Sequence, residues 1–346
     1  MGRLTSALAV VGGAIASLGA FNLWLGWHAG PLENKLPGKG RFYHWTRDGQ
    51  IANIFYVVSE GAGPPLVLIH GIDAAASSYE WGQTFAGLSE GRRVYALDLL
   101  GFGLSDRPAR RYRPDDYLEL IEGFLREVVA EPAAVVASSL STAYAVTVAA
   151  RSPELIRSLL LICPTGLERL ADPPERWQQN VGMILRLPIL GSALFNGLVS
   201  RRILRYFLSE RSFADSAKVT DAMIDDYYCA SHQEGARHAP ASFVAGDLNL
   251  SIRETYPGLA QPVAIAWGRE AHITPVSDAN LFIQSRHQTR LKVIDRCGIL
   301  PHVEQADEFL AYARSMLGPE ASQPPLESPA ENADDNHEER QSDPEE

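Results

Sequence analysis

Short segments rich in apolar residues recur along this chain, and each is followed by a Gly, a Pro or a polar residue. They lie at residues 41–46, 51–59, 65–70, 93–97, 134–138, 158–163, 263–267 and 290–295. Segments with the 3.6-residue apolar period of a helix stand between most of them, at 78–88, 116–129, 142–150, 276–286 and 302–317. Apolar strands that alternate with helices belong in a parallel sheet covered on both faces. The pattern therefore predicts one α/β domain over residues 41–318.

The alternation stops between about residues 168 and 240, where the pattern is helical throughout. This segment includes residues 181–199, whose only charged residue is Arg186. Pro188 and Gly191 interrupt that apolar run, and three arginines follow it closely. We therefore predict a helical cap inserted into the α/β domain, not a membrane span. An apolar cap above a pocket suits an apolar substrate.

The amino-terminal residues 4–27 are almost wholly apolar or small, and no Asp, Glu, Lys or Arg occurs from 4 to 32. A helix of this length spans roughly 36 Å, which exceeds the roughly 30 Å of a bilayer's hydrocarbon core. Trp24 and Trp27 suit the membrane interface. These features predict a membrane anchor at residues 1–30; a cleaved signal peptide and a helix packed on the domain are the alternatives.

The distribution of basic residues predicts the side of the membrane. Only Arg3 precedes the apolar segment, whereas four basic residues follow it, at Lys35, Lys39, Arg41 and Arg47. By the positive-inside rule, this asymmetry favours a globular domain on the cytoplasmic side.

The formal net charge of −11 is concentrated at the carboxyl end. Residues 319–346 hold ten acidic residues and one arginine, which predicts a disordered acidic tail. The chain has no basic patch, so we expect no nucleic-acid partner. Its three cysteines and nine histidines lack metal-ligand spacing, and no glycine loop matches a nucleotide-binding pattern, so no metal or other cofactor is expected.

Three motifs follow successive predicted strands. The first is His70-Gly71, the second begins at Asp98 and reads Asp-Leu-Leu-Gly-Phe-Gly-Leu-Ser-Asp-Arg-Pro, and the third is a small-x-Ser-x-small turn centred on Ser139. A nucleophile held between a strand and a helix needs such a tight bend, with small residues two positions away on either side. In this order and spacing, the motifs resemble those of the α/β-hydrolase superfamily, in its capped branch. The resemblance covers residues 41–317.

The resemblance implies an α/β-hydrolase fold with Ser139 as the nucleophile. It also implies that the backbone N–H groups of Ile72 and Leu140 form an oxyanion hole. The chain departs from the family where the other two members of the catalytic triad belong. The acid's position, after Trp-Gly, holds Ala271, and the histidine's position, in a Gly-x-x-Pro-His-x-Glu frame, holds Ile299.

Ser139 therefore needs another activating group, because a serine hydroxyl is a poor nucleophile without a base. His302, one helical turn beyond Ile299, is the nearest candidate base, although capping or packing of the last helix is its simpler role. Glu270 is a candidate acid if its loop is shifted by one residue. Glu168 and His272 are weaker candidates.

Three functions fit this pattern. The first is a membrane-anchored hydrolase of an ester-like bond in an apolar substrate, with Ser139 as nucleophile. The second is a catalytically degenerate binding protein, or pseudoenzyme, that holds a hydrophobic ligand. The third is a cofactor-independent lyase or cyclase that uses the same pocket. The intact serine turn favours the first, whereas the joint loss of acid and histidine favours the other two.

Overall fold

The computed structural model describes residues 2–317, with side chains from residue 16 onward. The predicted tail at 319–346 and the side chains of the first half of the predicted anchor lie outside the described residues. The strands are β1 (Lys39–Arg47), β2 (Gln50–Val58), β3 (Pro65–Ile69), β4 (Arg93–Leu97), β5 (Ala133–Ser138), β6 (Ile156–Ile162), β7 (Val263–Gly268) and β8 (Arg290–Ile294). The helices are α1 (Gly2–Ala29), α2 (Phe85–Leu88), α3 (Pro114–Phe124), α4 (Ser141–Arg151), α5 (Arg176–Arg186), α6 (Pro188–Leu198), α7 (Arg201–Phe207), α8 (Asp221–Ser231), α9 (His238–Val244), α10 (Ala279–Ser285), α11 (Pro301–Glu304) and α12 (Ala306–Leu317).

The strands form a single eight-stranded sheet in the order β1-β2-β4-β3-β5-β6-β7-β8. β2 pairs antiparallel with β1 and β4, and all other pairs are parallel. Every residue of β3, β5 and β7 is buried, as expected of apolar strands covered on both faces. The predicted α/β-hydrolase fold is confirmed.

The register of the parallel strands brings the predicted motifs to one edge of the sheet. Ile69 at the end of β3 pairs with Ala137 near the end of β5, so the loop after His70 lies beside the turn at Ser139. Gly268 of β7 pairs with Ile294 of β8, which brings together the loops that follow these two strands. Candidate residues far apart in sequence thus meet at the carboxyl edge, where open α/β sheets bind ligands.

The strand predictions agree with the structure to within two residues, but two predicted helices are broken. Residues 78–88 form a 3₁₀ turn, Ser78–Trp81, followed by the short helix α2. Ser77 caps the turn, where its hydroxyl accepts the Tyr79 N–H, and Gly82 follows it. The predicted helix at 302–317 divides at Gln305, whose backbone is not helical (φ −128°, ψ 55°), into α11 and α12.

Helices α5 to α9 lie between β6 and β7 and surround a second, smaller apolar cluster. Polar contacts attach them to the α/β core. The Asp247 carboxylate pairs with Arg111 and Arg186, and the Tyr112 N–H donates to Ser242 Oγ at 3.0 Å. These helices occupy the place of the predicted cap.

Helix α1 lies along the cap helix α6. Asn22 Nδ2 donates to the Ile189 carbonyl, and Asn196 Nδ2 donates to Asn22 Oδ1, each at 3.1 Å. Among the residues that the structure describes, no single helix is long and apolar enough to cross a membrane. Helices α5 and α6 reach that length and composition only together, and their axes differ by 106°. The prediction of a transmembrane helix gains no support from this finding.

Candidate active site

Ser139 occupies a strained turn between β5 and α4. Its φ of +52° lies in the left-handed region, which a residue with a side chain seldom adopts. The Ser139 N–H donates to the Ile162 carbonyl at 2.9 Å, and its carbonyl accepts the Thr142 N–H at 3.1 Å. Such strain persists only where surrounding structure enforces it, and it exposes the serine side chain at the end of the strand. The side chain is partly exposed, and no described group hydrogen-bonds its hydroxyl.

The two backbone N–H groups predicted to form an oxyanion hole lie beside this serine. A Cβ placed on Gly71, the residue before Ile72, would lie 3.5 Å from Ser139 Cβ. Leu140 directly precedes α4. Neither the Ile72 nor the Leu140 N–H donates to another group among the described residues. Both N–H groups are therefore free to donate to a substrate oxygen next to the serine.

His70 stabilises the loop that carries these donors. Its Nδ1 lies 2.6 Å from the Gly71 carbonyl, and its Nε2 accepts the Leu99 N–H at 3.0 Å. The Ser141 hydroxyl donates to the His70 carbonyl at 2.6 Å. With both ring nitrogens occupied by backbone, this histidine holds three loops together and is not available as a base for Ser139.

His302 lies fully buried in α11, and its partner is Glu80, not Ser139. His302 Nε2 is 2.8 Å from Glu80 Oε1, although the N–H direction is poorly aligned for a hydrogen bond. The imidazole packs against Trp81, with ring centroids 4.5 Å apart, and against Phe309 at 5.8 Å. The role of His302 as a base stays a prediction. Because the imidazole contacts Glu80, it could act on Ser139 only by way of the Glu80 carboxylate.

The Glu80 carboxylate lies close to the serine. Its Oε2 accepts the Gly71 N–H at 2.9 Å. The Gly71 Cβ position that lies 3.5 Å from Ser139 Cβ is also only 3.6 Å from this oxygen. Burial favours the neutral acid, but the contact with His302 and its charge outweigh that effect and hold the pKa of Glu80 below its usual value. An ionised carboxylate therefore lies within the serine's surroundings.

Glu270 has a different neighbourhood. Its Oε2 accepts the Cys297 N–H at 2.8 Å, and its own N–H donates to the Cys297 carbonyl at 3.0 Å. It thus joins the loops after β7 and β8, without contact with His302 or Ser139. Its role as a shifted acid stays a prediction. Glu168 and His272 are exposed.

The two vacant triad positions are filled by packed apolar side chains. Ala271 is buried, and Ile299 packs against the core. The Ile299 N–H donates to the Ser212 carbonyl of the cap at 2.9 Å. Glu304, from the same motif, accepts the Gly298 N–H at 2.7 Å and two N–H groups of the cap, from Ala214 at 2.8 Å and Asp215 at 2.7 Å. The loop that would present a catalytic histidine here attaches the cap.

A cavity of ≈ 250 Å³ lies between the loop after Gly71 and the cap. Its walls are apolar side chains of α5, α6, α7 and α9, and its polar lining consists of Asp73 and Tyr227. Burial is the main reason why the pKa of Asp73 is raised to about 6. Burial, together with the charges of Asp73 and Glu80, raises the pKa of Tyr227. Ser139 does not line this cavity.

Sequence reasoning missed Glu80, Asp73 and Tyr227. A weak signal was present for two of them. Asp73 follows closely on His70-Gly71, in a loop that the resemblance places at the carboxyl edge of the sheet, and Glu80 directly precedes Trp81 in the segment predicted to be helical. Tyr227 lies in the cap, and nothing in the sequence linked it to the loop.

Comparison with known proteins agrees with this geometry. Residues 66–312 match the model of the alpha/beta hydrolase family. A 2-hydroxymuconate semialdehyde hydrolase from Pseudomonas sp. (strain CF600) is 26% identical, over 74% of this chain and 88% of its own. The structure of a meta-cleavage product hydrolase from Pseudomonas fluorescens IP01 is 26% identical, with a TM-score of 0.61, over 77% of this chain and 94% of its own.

A third likeness extends over more of the chain. The structure of a membrane phospholipase A described as a bacterial virulence factor covers 92% of this chain and 98% of its own, with a TM-score of 0.61. At 21% identity, this likeness shows the fold alone. The match to the family model, which spans most of the sheet and the whole cap, and the hydrolases among the relatives lead to one conclusion: this chain belongs to the α/β-hydrolase family.

Proposed function

We propose that this protein is a membrane-anchored hydrolase that cleaves an ester-like bond in an apolar substrate, with Ser139 as nucleophile and the Glu80 carboxylate as its general base. The observation that carries the proposal is that the strained Ser139 turn and the ionised Glu80 carboxylate both lie against the same residue, Gly71. Of the three functions that fit the sequence, hydrolysis is the one that requires both the serine and the carboxylate.

The proposed reaction proceeds in two steps. Glu80 removes the hydroxyl proton of Ser139 as its Oγ attacks the substrate carbonyl, and the Ile72 and Leu140 N–H groups stabilise the oxygen that becomes negative. The tetrahedral intermediate collapses to an acyl-serine, and Glu80 returns the proton to the leaving alkoxide. Water, deprotonated by the same carboxylate, then attacks the acyl carbon, and Glu80 returns the proton to Ser139 Oγ as the carboxylic acid is released. His302 keeps Glu80 ionised and oriented.

A carboxylate whose pKa is held low is a weaker base than a triad histidine. We therefore expect slow turnover, with much of the rate coming from the oxyanion hole and binding, which alone supply about 10³–10⁴-fold over water in serine hydrolases. The apolar walls of the cavity support an apolar substrate, and the names of the hydrolase relatives support hydrolysis as the reaction class.

A fluorophosphonate probe tests the nucleophile directly. The full chain in detergent micelles should be labelled, Ser139→Ala should abolish labelling, and Ser251→Ala, which removes an exposed serine, should not change it. Labelling of folded protein that persists in Ser139→Ala would contradict the proposal.

One observation favours a second candidate, an apolar-ligand binding protein. The cavity is lined by apolar cap residues, and Ser139 is not among them. If the folded wild-type chain resists the probe, this binding role becomes the better explanation. Binding of a fluorescent fatty acyl probe to the wild-type chain would then support it, if Phe195→Asp, inside the cavity, abolishes this binding and Phe42→Asp, on β1, does not.

The anchor is part of the same proposal. It rests on the apolar residues 4–27 and on the continuous helix α1. Residues 1–30 should retain the chain in membranes after an alkaline carbonate wash, and the basic residues that follow predict a cytoplasmic domain. A chain that is released fully by the wash, or that loses residues 1–30 on maturation, would contradict the anchor.

A further inference from the structure

The large apolar side chains that are exposed are not spread evenly over the described residues. Fifteen of the eighteen lie on α1 or on the cap. We use the name cap face for the exposed apolar side chains of α5, α6 and α7, among them Trp177, Met183, Leu190, Leu194, Ile203 and Phe207. Single exposed apolar residues are ordinary, but a patch of this extent marks an interaction surface.

The cap face is continuous with α1. A groove between the two is lined by Leu23 and Trp27 of α1 and by Pro188 and Ile189 of α6. The Asn22 bonds to α6 fix this alignment. From the groove, α1 continues to Gly2 through the remainder of the apolar stretch, roughly 20 Å of helix beyond residue 16. The cap face therefore lies next to the segment proposed to enter the membrane.

The charge of the cap face fits a lipid headgroup layer. Residues 176–207 contain five arginines and no acidic residue, in a chain whose net charge is −11. Arg176 and Arg202 are exposed, whereas the exposed Arg201 and Arg205 pair with Asp225 and Asp221 of α8. Exposed aromatic side chains accompany them, with Trp177 at 59% and Tyr206 at 63% accessibility. Arginine and amphipathic aromatic side chains around an apolar face are typical of helices that lie in the bilayer interface.

The cavity opens on the same surface. Four of its lining residues are themselves exposed, and they come from three helices: Leu198, Ile203, Phe207 and Val244. Its opposite end reaches Asp73 and Ala74 in the loop that follows Gly71. A molecule that enters at the cap face would therefore meet apolar walls first and the polar loop last.

We infer that the cap face rests in the outer acyl region of a phospholipid leaflet, and that the cavity takes the apolar chain of its substrate from the lipid phase. The bend of 106° between α5 and α6 allows both helices to lie near one plane without crossing the bilayer. The docking rests on this surface and on the proposed anchor beside it but not on catalysis, whereas the route for the substrate rests on the proposed function.

Depth-dependent quenching tests the docking. In a Cys229→Ser background, which leaves only the buried Cys163 and Cys297, an environment-sensitive fluorophore is attached at Leu194→Cys, Ile203→Cys or the control Leu291→Cys on β8. The full chain is placed in phosphatidylcholine vesicles with phosphatidylglycerol and lipids brominated near the headgroup. We expect at least threefold stronger quenching at positions 194 and 203 than at 291.

Two results would overturn the docking. Quenching at positions 194 and 203 equal to that at 291 would place the cap face in water. A blue-shifted fluorophore that brominated lipid does not quench would show a cover of protein, such as a second copy of this chain. The same labelled variants that also carry Ser139→Ala should give the same quenching pattern, because the docking does not require catalysis.

Activity tests the substrate route separately. Leu190→Asp with Leu194→Asp, which changes the cap face outside the cavity, should slow hydrolysis of a long-chain ester embedded in vesicles at least tenfold. Hydrolysis of a short-chain, water-soluble ester should change less than twofold, and Leu291→Asp should affect neither. Equal loss on both esters would overturn the route. If no variant and no wild-type chain hydrolyses either ester, the proposed function fails while the quenching result still decides the docking.

Discussion

The turn at Ser139 and the loop at residues 297–304 lie at the same edge of one sheet but differ in what their residues do. The turn keeps the strained backbone and free N–H donors that a nucleophile requires. In the loop, Ile299 and Glu304 bind the backbone of the cap, and the imidazole of His302 contacts Glu80 instead of the serine. The comparison teaches that a fold can retain one half of a catalytic constellation while the other half becomes a structural attachment.

Glu80 connects the two regions, because it contacts the Gly71 loop on one side and His302 of α11 on the other. If it serves as the base, Glu80→Gln should lower the fluorophosphonate labelling rate by more than about 100-fold, the usual size of a general-base effect. Glu270→Gln should leave the rate unchanged, because its carboxylate contacts only the loop backbone. A folded Glu80→Gln protein with normal labelling would remove Glu80 from the mechanism.

The contribution of Glu304 to stability tests whether the loop at residues 297–304 attaches the cap. Glu304→Gln should lower the free energy of unfolding by about 2–4 kcal/mol, because a buried carboxylate that accepts three backbone N–H groups is replaced by an amide. Urea unfolding of the full chain in micelles gives the value. Glu308→Gln, which removes an exposed pair with Lys292, should cost less than about 0.5 kcal/mol. Equal effects would show that the loop does not hold the cap.

Restoring the lost triad would sharpen the comparison further. Ala271→Asp with Ile299→His should raise the labelling rate about tenfold, because the serine turn and its oxyanion donors remain in place. Ile299→His alone should give a smaller increase in the labelling rate, because the new imidazole lacks an acid to orient it. A double variant that keeps its wild-type melting temperature but labels no faster would mean that the turn itself is no longer competent.

Replacing Asp73 should have the smallest effect of these substitutions, and its effect on stability should depend on pH. Because its pKa is raised from 3.8 to about 6 in the folded state, its contribution to stability is present below about pH 4 and lost as the pH rises through about 6. Asp73→Asn should therefore stabilise the chain by about 1–2 kcal/mol at pH 7.5 and by almost nothing at pH 4, because the partial exposure of Asp73 reduces the effect of its raised pKa.

Urea unfolding at the two pH values measures this difference. Asp295→Asn, at an exposed aspartate paired with Arg269, is the matched control for the replacement of an aspartate by asparagine. A constant difference between wild type and Asp73→Asn across the range would show that Asp73 titrates normally.

The sequence by itself determined the sheet, the cap's place in the chain and the position of the candidate nucleophile. Strand and helix periods are local properties, and the bend at Ser139 requires small residues only two positions away. The same local frame identified Ala271 and Ile299 as the two departures from the family.

Tertiary structure alone decided what surrounds the serine. Glu80 lies 59 residues before Ser139, and His302 lies 222 residues after Glu80, so no local pattern relates them. The parallel register of β3 and β5, and the packing of α11 against Trp81, bring the three together. Burial then fixes their charges, because the pKa of a carboxyl group depends on neighbours that only the folded chain supplies.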